Sequence, residues 1–476
     1  MRLRKRESGL AVSGAWMGLA VLATMLSGGL LLVGCDDETG GTAEFGDTCV
    51  EDNECVSSMC NETDLSGPTK RCTAACDDAT PCASGYCGSD SVCVLGPPSP
   101  LEGDEPLRVG MLYVGPPGDH GWTKSHDDGR IAMEETLGSS VIFETSPPVS
   151  TADAPAQIQT FIDSGDQVII GTSFDFLQPL QQASAEPANA DVRFLTCSGF
   201  QTAHNLGSYF GRMEQVMFLM GVVAGQMTTT NEIGIVGPVV IPETIRLNNA
   251  FLLGVHSVNA DAQVVVRWVG NWYDPENEIL ATEELIHDFD CDIIFGHTDT
   301  QSPMVRVAEL QDGDDSNGEL TVDDPSTVYS LGYDNQDSCH FDPDHCLGAA
   351  YWNWAPMVTR ILEDIMAGDW YPSNVIYEQI NPDSSESVVY PNLSDLVPST
   401  IADQLDPLID RLSSDDHAEQ YFFWEGPIVD AEGAERLADG EVPTDDQLLS
   451  MCWYIDGIID TDETPDVAPA GCPGDY

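Results

Sequence analysis

The feature that most constrains the fold of this chain is a long alternation of short apolar runs with amphipathic segments, which begins at residue 107. Leu107–Val114 is typical of a buried strand, and Lys124–Leu137 has the periodicity of an amphipathic helix. The same rhythm continues through Val168–Gly171 and restarts near Glu232. Strands separated by helices predict right-handed βαβ units and parallel sheets. The restart predicts two such sheets, so we expect an α/β protein with two lobes, each a mostly parallel sheet flanked by helices.

Composition and residue patterns divide the chain into six predicted segments. The predicted segments are a signal peptide at 1–34, an acidic tether at 35–48, a duplicated cysteine-rich module at 49–93, a Pro-rich linker at 94–106, a two-lobed domain at 107–457 and a tail at 458–476. Within the domain, lobe 1 is expected at about 107–231 with returning segments after 350, and lobe 2 at about 232–345. Prolines in the linker favour an extended spacer, so the module should be coupled only loosely to the domain.

The N-terminus carries the pattern of an export signal. Basic residues before position 7 precede an uncharged stretch from Gly9 to Gly34. This stretch leads into Leu-Val-Gly-Cys at residues 32–35, which resembles the lipobox of bacterial lipoproteins. We therefore expect cleavage before Cys35, lipidation of its sulfur, and a protein tethered on the periplasmic side of a bacterial membrane, with the inner membrane favoured. The rival interpretation is a transmembrane anchor, since the run is long enough to span a bilayer.

The charge of the chain excludes one class of partner. Its 17 Lys and Arg residues stand against 80 Asp and Glu residues, a formal net charge of −63. Such a surface repels nucleic acid and anionic lipid headgroups, so no nucleic-acid partner is expected. The acidity is otherwise explained by solvation of the surface and says little about the ligand.

Eight of the 15 cysteines fall in the short segment 49–93, spaced as two copies of one pattern. They are Cys49, Cys55, Cys60, Cys72, Cys76, Cys82, Cys87 and Cys93. A segment this short and polar cannot bury enough apolar surface to fold without crosslinks, so four disulfides are expected. Zinc is the alternative, but Cys-x2-Cys pairs and histidines are both missing.

Two further disulfides are expected in the large domain and its tail. One joins Cys339 to Cys346, and the other joins Cys452 to Cys472. The thiolates and histidines around the first pair could also ligate a metal, but an oxidising compartment favours the bridge.

An acidic insertion at 311–325 partly matches a calcium-binding loop. Asp315, Asn317 and Asp324 fall on ligand positions of such a loop, whereas Gly313 occupies the first position, where an Asp is usual. A solvated acidic loop is the favoured interpretation. No cofactor is expected.

Aromatic and acidic residues follow most of the predicted strands. In open parallel sheets the ligand binds beyond the carboxyl ends of the strands, which for two lobes is the cleft between them. Flat rings and carboxylates suit a flat heterocycle, because rings stack on its faces and carboxylates accept from its N–H edge. The candidate ligand-binding residues are Asp119, Trp122, Phe174, Glu243, Trp272, Asp299, Asp334 and Trp354. Core packing is the alternative role for any single Trp.

Several motifs resemble, in order, those of the basic membrane protein (BMP) family of substrate-binding lipoproteins, the PnrA-like group. They are Gly118–Arg130, Thr172–Phe174, Gly207–Glu214, Ile241–Phe251, Asn271–Pro275, His297–Asp299, Tyr351–Pro356 and Leu449–Tyr454. The resemblance implies a periplasmic-binding-protein-like fold and an ABC permease as partner. It also implies a purine ligand, which is a nucleoside in one branch of the family and a free base in another.

The residues favour the free base. In the nucleoside branch an Asp and a later Lys grip the ribose. Asp334 matches that Asp, but Trp352-Asn353-Trp354 stands where the Lys is expected. Rings in place of a cation remove hydrogen-bond donors and add stacking area.

The leading functional interpretation is a lipid-anchored receptor that captures a purine and delivers it to a permease. The second is a sensor that uses the same cleft, and the third is a nucleoside hydrolase with Asp299 and Asp334 as acid and base. The hydrolase is the weakest, because no Gly-x-Ser-x-Gly elbow, His-Glu-x-x-His pair, Walker loop or dinucleotide fingerprint occurs in the sequence.

Overall fold

A computed structural model describes residues 105–199, 201–312, 324–325, 327–372 and 375–461, together with the backbone of three short strands nearer the N-terminus. These strands, Thr48–Cys49 (β1), Cys60–Asn61 (β2) and Lys70–Cys72 (β3), form an antiparallel sheet in the order β1-β3-β2. The signal peptide, Cys35, most of the acidic insertion and the tail beyond residue 461 lie outside the described residues, as do the disulfides predicted for the cysteine-rich module.

The strands of the large domain alternate with helices along most of its length. In chain order they are β4 (Leu107–Tyr113), β5 (Val141–Pro148), β6 (Val168–Gly171), β7 (Arg193–Cys197), β8 (Leu206–Gly211), β9 (Glu232–Gly237), β10 (Gln263–Trp268), β11 (Ile293–Gly296), β12 (Tyr329–Asp334), β13 (Cys346–Trp352), β14 (Val375–Glu378), β15 (Val389–Leu393), β16 (Ile428–Val429), β17 (Glu435–Leu437) and β18 (Ile458–Asp460).

The helices between them are mostly amphipathic. In chain order they are α1 (Trp122–Leu137), α2 (Ala154–Asp163), α3 (Leu177–Ser184), α4 (Met213–Met227), α5 (Pro242–Val258), α6 (Pro275–His287), α7 (Ser302–Asp312), α8 (Trp354–Ala367), α9 (Ser399–Ala402), α10 (Leu405–Leu412), α11 (His417–Gln420) and α12 (Asp445–Leu449). None of the helices in the part of the chain that the structure describes is long and apolar enough to cross a membrane.

The strands form the two parallel sheets that the alternation predicts. The first sheet has the order β14-β8-β7-β6-β4-β5, and all its strands run parallel. The second has the order β15-β13-β12-β11-β9-β10-β18, with only β15 antiparallel. Strands such as β6 and β11 are buried along their whole length, because helices cover both faces of each sheet. The fold is therefore the predicted two-lobed α/β architecture.

The chain passes between the lobes three times. It leaves the first sheet after β8, returns to the first lobe between β13 and α8, and crosses again between β14 and β15. The crossing segments bond to one another: Arg212 N–H donates to Glu378 O at 2.8 Å, and Asn353 N–H donates to Val388 O at 2.8 Å. These crossings form the hinge at the base of the cleft.

Helix α4 packs with the second lobe, although it follows the last early strand of the first. Its glycines meet α5 at backbone distance: a Cβ on Gly221 would clash with the carbonyl oxygen of Phe251, and one on Gly254 would clash with that of Phe218. Only glycine permits this approach, which lets α4 pack on α5 directly after β8 ends at Gly211. The second lobe also extends beyond its predicted end at about residue 345, because β13, β15 and β18 belong to the second sheet.

The cysteines of the domain that the structure describes fall into two groups. A disulfide joins Cys339 to Cys346, as the sequence predicted. Cys452 is also disulfide-bonded, and its predicted partner, Cys472, lies outside the described residues. Cys197 and Cys291 are free and buried.

Candidate ligand-binding cleft

The carboxyl ends of the two sheets face each other across a cleft, and the two lobes are in contact at its edge. Gln301 Nε2 donates to the His120 carbonyl oxygen at 3.0 Å, and the rings of His120 and Phe341 lie 5.1 Å apart. Gly121 lies against Asp299 so closely that a Cβ would clash with the Asp299 carbonyl oxygen. Residues 120 and 121 follow a strand of the first lobe, whereas the other three belong to the second lobe. The structure therefore has the lobes closed.

On the lobe 1 wall, Asp119 holds the start of α1. Its carboxylate accepts from the backbone N–H groups of Gly121 (3.0 Å), Thr123 (2.9 Å) and Lys124 (2.9 Å). These N–H groups belong to the first turn of a helix or precede it and have no partner inside the helix. The carboxylate of this predicted ligand-binding residue is thus occupied as a helix cap.

Three indoles and an imidazole form a continuous aromatic stack at the same wall. Trp354 is 1% exposed and lies between His126, whose ring centroid is 4.4 Å away, and Trp352, at 4.6 Å with an interplanar angle of 8°. Trp122 meets Trp352 and Trp354 edge to face, at 5.8 and 5.4 Å. Such pairs contribute beyond their buried area.

The N–H groups of two of these indoles are bonded within the protein. Trp122 Nε1 donates to the Thr172 carbonyl oxygen at 2.7 Å, and Trp354 Nε1 donates to Ser125 Oγ at 3.1 Å. Neither indole N–H is therefore available to a ligand. Both faces of the Trp354 ring are covered by His126 and Trp352, whereas the Trp122 ring is only partly buried. The Trp352 indole differs, because its Nε1 is buried without a hydrogen-bond partner in the described part of the chain.

The lobe 2 wall contains buried polar groups around His297, which directly follows β11. The His297 ring lies 4.7 Å from Tyr333 and 6.4 Å from Trp272, and its Nδ1 is 3.1 Å from Asn248 Oδ1. Burial lowers the pKa of His297 to about 3, so the ring is neutral at physiological pH. His297 Nε2, Tyr333 Oη and Asn248 Nδ2 are buried without a hydrogen-bond partner among the described residues.

Two carboxyl groups, Asp299 and Asp334, meet at this wall. Burial raises the pKa of both groups well above the usual range. The charge of Asp119 raises the pKa of Asp299 further, and the charge of Asp299 raises that of Asp334. Neither oxygen of Asp334 has a partner of normal hydrogen-bond geometry within the described residues, although the Trp352 indole lies near enough to favour its ionised form. Asp334 also has a positive φ of 68°, which is uncommon outside glycine and indicates a constrained strand end.

The predicted residue Glu243 lies at the start of α5, near the hinge. Burial raises its pKa to about 6, and the charge of Arg246 opposes this shift. Arg246 is 1% exposed and pairs with the buried Glu214 at 3.5 Å, and Glu214 accepts from Tyr377 Oη. This ionic group links both lobes, because Tyr377 belongs to β14 of the first sheet.

The remaining predicted residues lie at the edge of these groups, on the surface or outside the described residues. Trp272 is partly buried beside His297, whereas Phe174 is 51% exposed. The calcium candidates Asp315 and Asn317 lie outside the described residues, and Asp324 lies 2.9 Å from His287 Nδ1. No group of three or more His, Cys, Asp or Glu side chains able to hold a metal occurs among the residues that the structure describes.

The list of candidate ligand-binding residues predicted from the sequence omitted five groups of the cleft, namely His126, Asn248, His297, Tyr333 and Trp352. His297, Tyr333 and Trp352 follow or end predicted strands, so the pattern placed them at the cleft, but it did not distinguish them as ligand-binding groups. His126 and Asn248 lie inside α1 and α5, where nothing in the local pattern distinguishes them from other polar helix residues.

Two lobes of parallel sheet, three crossings and a closed aromatic cleft define the class of two-lobed α/β solute-binding proteins. A solved solute-binding protein of an ABC transporter system from Aeropyrum pernix K1 has this fold, with a TM-score of 0.51 and 19% identity, covering 63% of this chain and 81% of that one. The Bmp family model, described as ABC transporter substrate-binding protein PnrA-like, matches residues 107–404. The chain belongs to this family, as the motifs predicted.

Two relatives carry names that describe a ligand. A purine-binding protein of Brucella abortus is 31% identical over 359 residues, which cover 75% of this chain and 94% of that protein. A putative ABC transporter glucose-binding protein, TsgA13 of Haloferax volcanii, is 30% identical over 271 residues, which cover 57% of this chain and 64% of that protein. The family consists of substrate-binding proteins of ABC transporters.

Proposed function

We propose that this protein is a lipid-anchored receptor that captures a purine base in the interlobe cleft and delivers it to an ABC permease. The observation that supports this most is the cleft itself, where stacked indoles lie beside buried polar atoms that have no partner among the described residues. Buried polar groups are normally hydrogen-bonded, so unpaired ones at a strand end favour a polar ligand. The partly buried Trp122 ring at the same wall favours a flat ligand.

The named relatives support a purine over a sugar. The Brucella abortus protein is named as purine-binding, and its alignment covers more of both chains than that of the Haloferax volcanii protein. We expect the purified full-length protein to retain a purine, which mass spectrometry of the denatured sample would identify. Retention of a sugar, or binding of a sugar in place of any purine, would contradict the proposal.

A free base is favoured over a nucleoside by the residues at the hinge. Trp352 and Trp354 stack face to face where the nucleoside branch has a lysine. Indoles offer a ribose fewer hydrogen-bond donors than an ammonium group does. Calorimetry should therefore find that adenine or guanine binds at least as tightly as its nucleoside. Nucleosides that bind tenfold tighter would reverse the choice of branch and leave the receptor function intact.

Membrane anchoring is proposed through Cys35. A diacylglycerol contributes about 0.8 kcal/mol per buried CH₂, so it would supply most of the membrane affinity. Cys35→Ser should release or mislocalise the protein, which fractionation with mass spectrometry of the N-terminus would detect. Wild-type protein that keeps residues 1–34 would contradict the anchor.

A further inference from the structure

His297 and Asn248 form a buried pair on the lobe 2 wall of the cleft. Both side chains are fully buried, and His297 Nδ1 lies 3.1 Å from Asn248 Oδ1. Each residue also has a second polar atom, His297 Nε2 and Asn248 Nδ2, that is buried without a partner in the described part of the chain. The His297 ring also meets Tyr333 edge to face at 4.7 Å and Trp272 at 6.4 Å, so the pair lies beside aromatic rings of the same wall.

The chemistry of the two side chains gives this pair two arrangements. When the Asn248 oxygen faces the imidazole, Nδ1 carries the hydrogen, which leaves Nε2 as an acceptor and the amide nitrogen as a donor. When the amide is rotated by half a turn, it donates to Nδ1, Nε2 carries the hydrogen, and the amide oxygen is the free acceptor. Either way, the pair leaves one donor and one acceptor unpaired, with their positions exchanged.

The buried surroundings prevent a third arrangement. A protonated imidazole would present donors at both nitrogens, but burial lowers the pKa of His297 to about 3. Phe295 covers one side of the ring at 5.7 Å, and no carboxylate contributes to the shift. Rotation of an amide together with a change of tautomer requires no net gain or loss of protons.

We propose that the His297–Asn248 pair is a reversible recognition element that lets the cleft accept both 6-amino and 6-oxo purines. Adenine presents a donor at N6 beside an acceptor at N1, whereas hypoxanthine presents an acceptor at O6 beside a donor at N1. The two edges are complementary to the two arrangements of the pair. This inference rests on the proposed purine-binding function and adds its ligand range and the residues that set it.

Two measurements on the full-length protein test the inference. Calorimetry of the wild-type protein should find that its affinities for adenine and hypoxanthine differ by no more than about tenfold. His297→Phe keeps a ring of similar size but presents neither donor nor acceptor, so both affinities should fall by about tenfold to a hundredfold. Tyr273→Ala, at a 53% exposed position of the same lobe, is the control and should leave both affinities unchanged.

Nitrogen-15 NMR of histidine-labelled protein reports the tautomer directly. The His297 signals, assigned by their loss in His297→Phe, should show Nδ1–H in the adenine complex and Nε2–H in the hypoxanthine complex. His256 is the internal control, because its Nε2 lies 2.9 Å from the Ala262 carbonyl oxygen and must carry the hydrogen in both complexes.

The outcomes separate this inference from the proposed function. Purine binding with the same His297 tautomer in both complexes, or with one base at least a thousandfold weaker, overturns the inference and leaves the function standing. Affinities that His297→Phe does not change also overturn it. Absence of binding of any purine to the wild type overturns the proposed function and this inference with it.

Discussion

The two walls of the cleft differ in what their polar atoms bond to. On the lobe 1 wall, Trp122 and Trp354 donate their indole N–H groups to the protein, and Asp119 accepts three backbone N–H groups. On the lobe 2 wall, Asp334 and the outer nitrogen of His297 are buried with no normal hydrogen bond within the described residues. Lobe 1 thus offers an aromatic wall whose polar groups are mostly bonded within the protein, and lobe 2 offers the donors and acceptors. His126 is an exception on lobe 1, since its Nε2 is also unpaired there.

The largest expected effect tests whether the lobe 1 wall is structural. Trp354→Ala removes a buried ring and should lower the free energy of unfolding by about 3–5 kcal/mol. Urea denaturation followed by circular dichroism measures this change. The exposed Tyr273→Ala should change it by less than about 0.5 kcal/mol. A Trp354→Ala protein that keeps wild-type stability and loses only ligand affinity would show that this ring of lobe 1 recognises the ligand.

Asp334→Asn should affect binding and stability in opposite directions. Purine affinity should fall by about tenfold to a hundredfold, because the amide replaces one carboxyl oxygen with an N–H₂ donor. Burial raises the pKa of Asp334, so the folded state keeps its proton to higher pH than the unfolded state does. Its cost to stability therefore grows as pH rises above the unfolded pKa near 3.8. The unliganded variant should be more stable than wild type at pH 8 and similar at pH 3, measured by urea denaturation. Lower stability at pH 8 would mean that this carboxylate holds the fold.

Glu243 gives a pH dependence that belongs to the hinge. Burial raises its pKa from 4.5 to about 6, so the folded state binds a proton that the unfolded state releases between these values. Its contribution lowers stability by up to about 2 kcal/mol as pH rises through this window. Glu243→Gln should remove that part of the slope in unfolding free energy against pH. An unchanged slope would show that the carboxylate is hydrated in the folded protein.

Asp119→Ala should lower stability modestly and leave binding almost unchanged. Loss of the helix cap should lower the free energy of unfolding by about 0.5–2 kcal/mol, while purine affinity should stay within about threefold of wild type. Asp153 precedes α2 but makes no cap bond to its backbone, so Asp153→Ala is the matched control and should cost less. A hundredfold loss of affinity in Asp119→Ala would mean that this carboxylate binds the ligand, so that both walls would supply polar groups to it.

The sequence predicts the two sheets well because their strands are buried on both faces and form apolar runs. Val168–Gly171, for example, was predicted with the observed bounds. The start of α1 was placed two residues late, because the cap at Asp119 lies in a loop without apolar periodicity. The position of α4 could not be predicted, since it depends on backbone contacts at Gly221 and Gly254.

The cleft is less predictable than the fold for a physical reason. Residues that follow a strand can be found from the apolar pattern, and this position predicted Asp299, Asp334 and Trp272 as cleft residues. Their roles depend on partners distant in sequence: His297 lies 49 positions from Asn248, and Trp354 lies 229 positions from Ser125. Whether a polar atom is bonded or unpaired is decided by these contacts, and composition or spacing does not encode them.

The most direct test of the account is a calorimetric titration of the full-length protein with adenine and, in parallel, with glucose. Before titration, bound ligand is removed by mild denaturation and refolding. We expect a single site that binds adenine, no heat of binding with glucose, and loss of most of the adenine affinity in Asp334→Asn. Binding of glucose without binding of any purine base or nucleoside would contradict it.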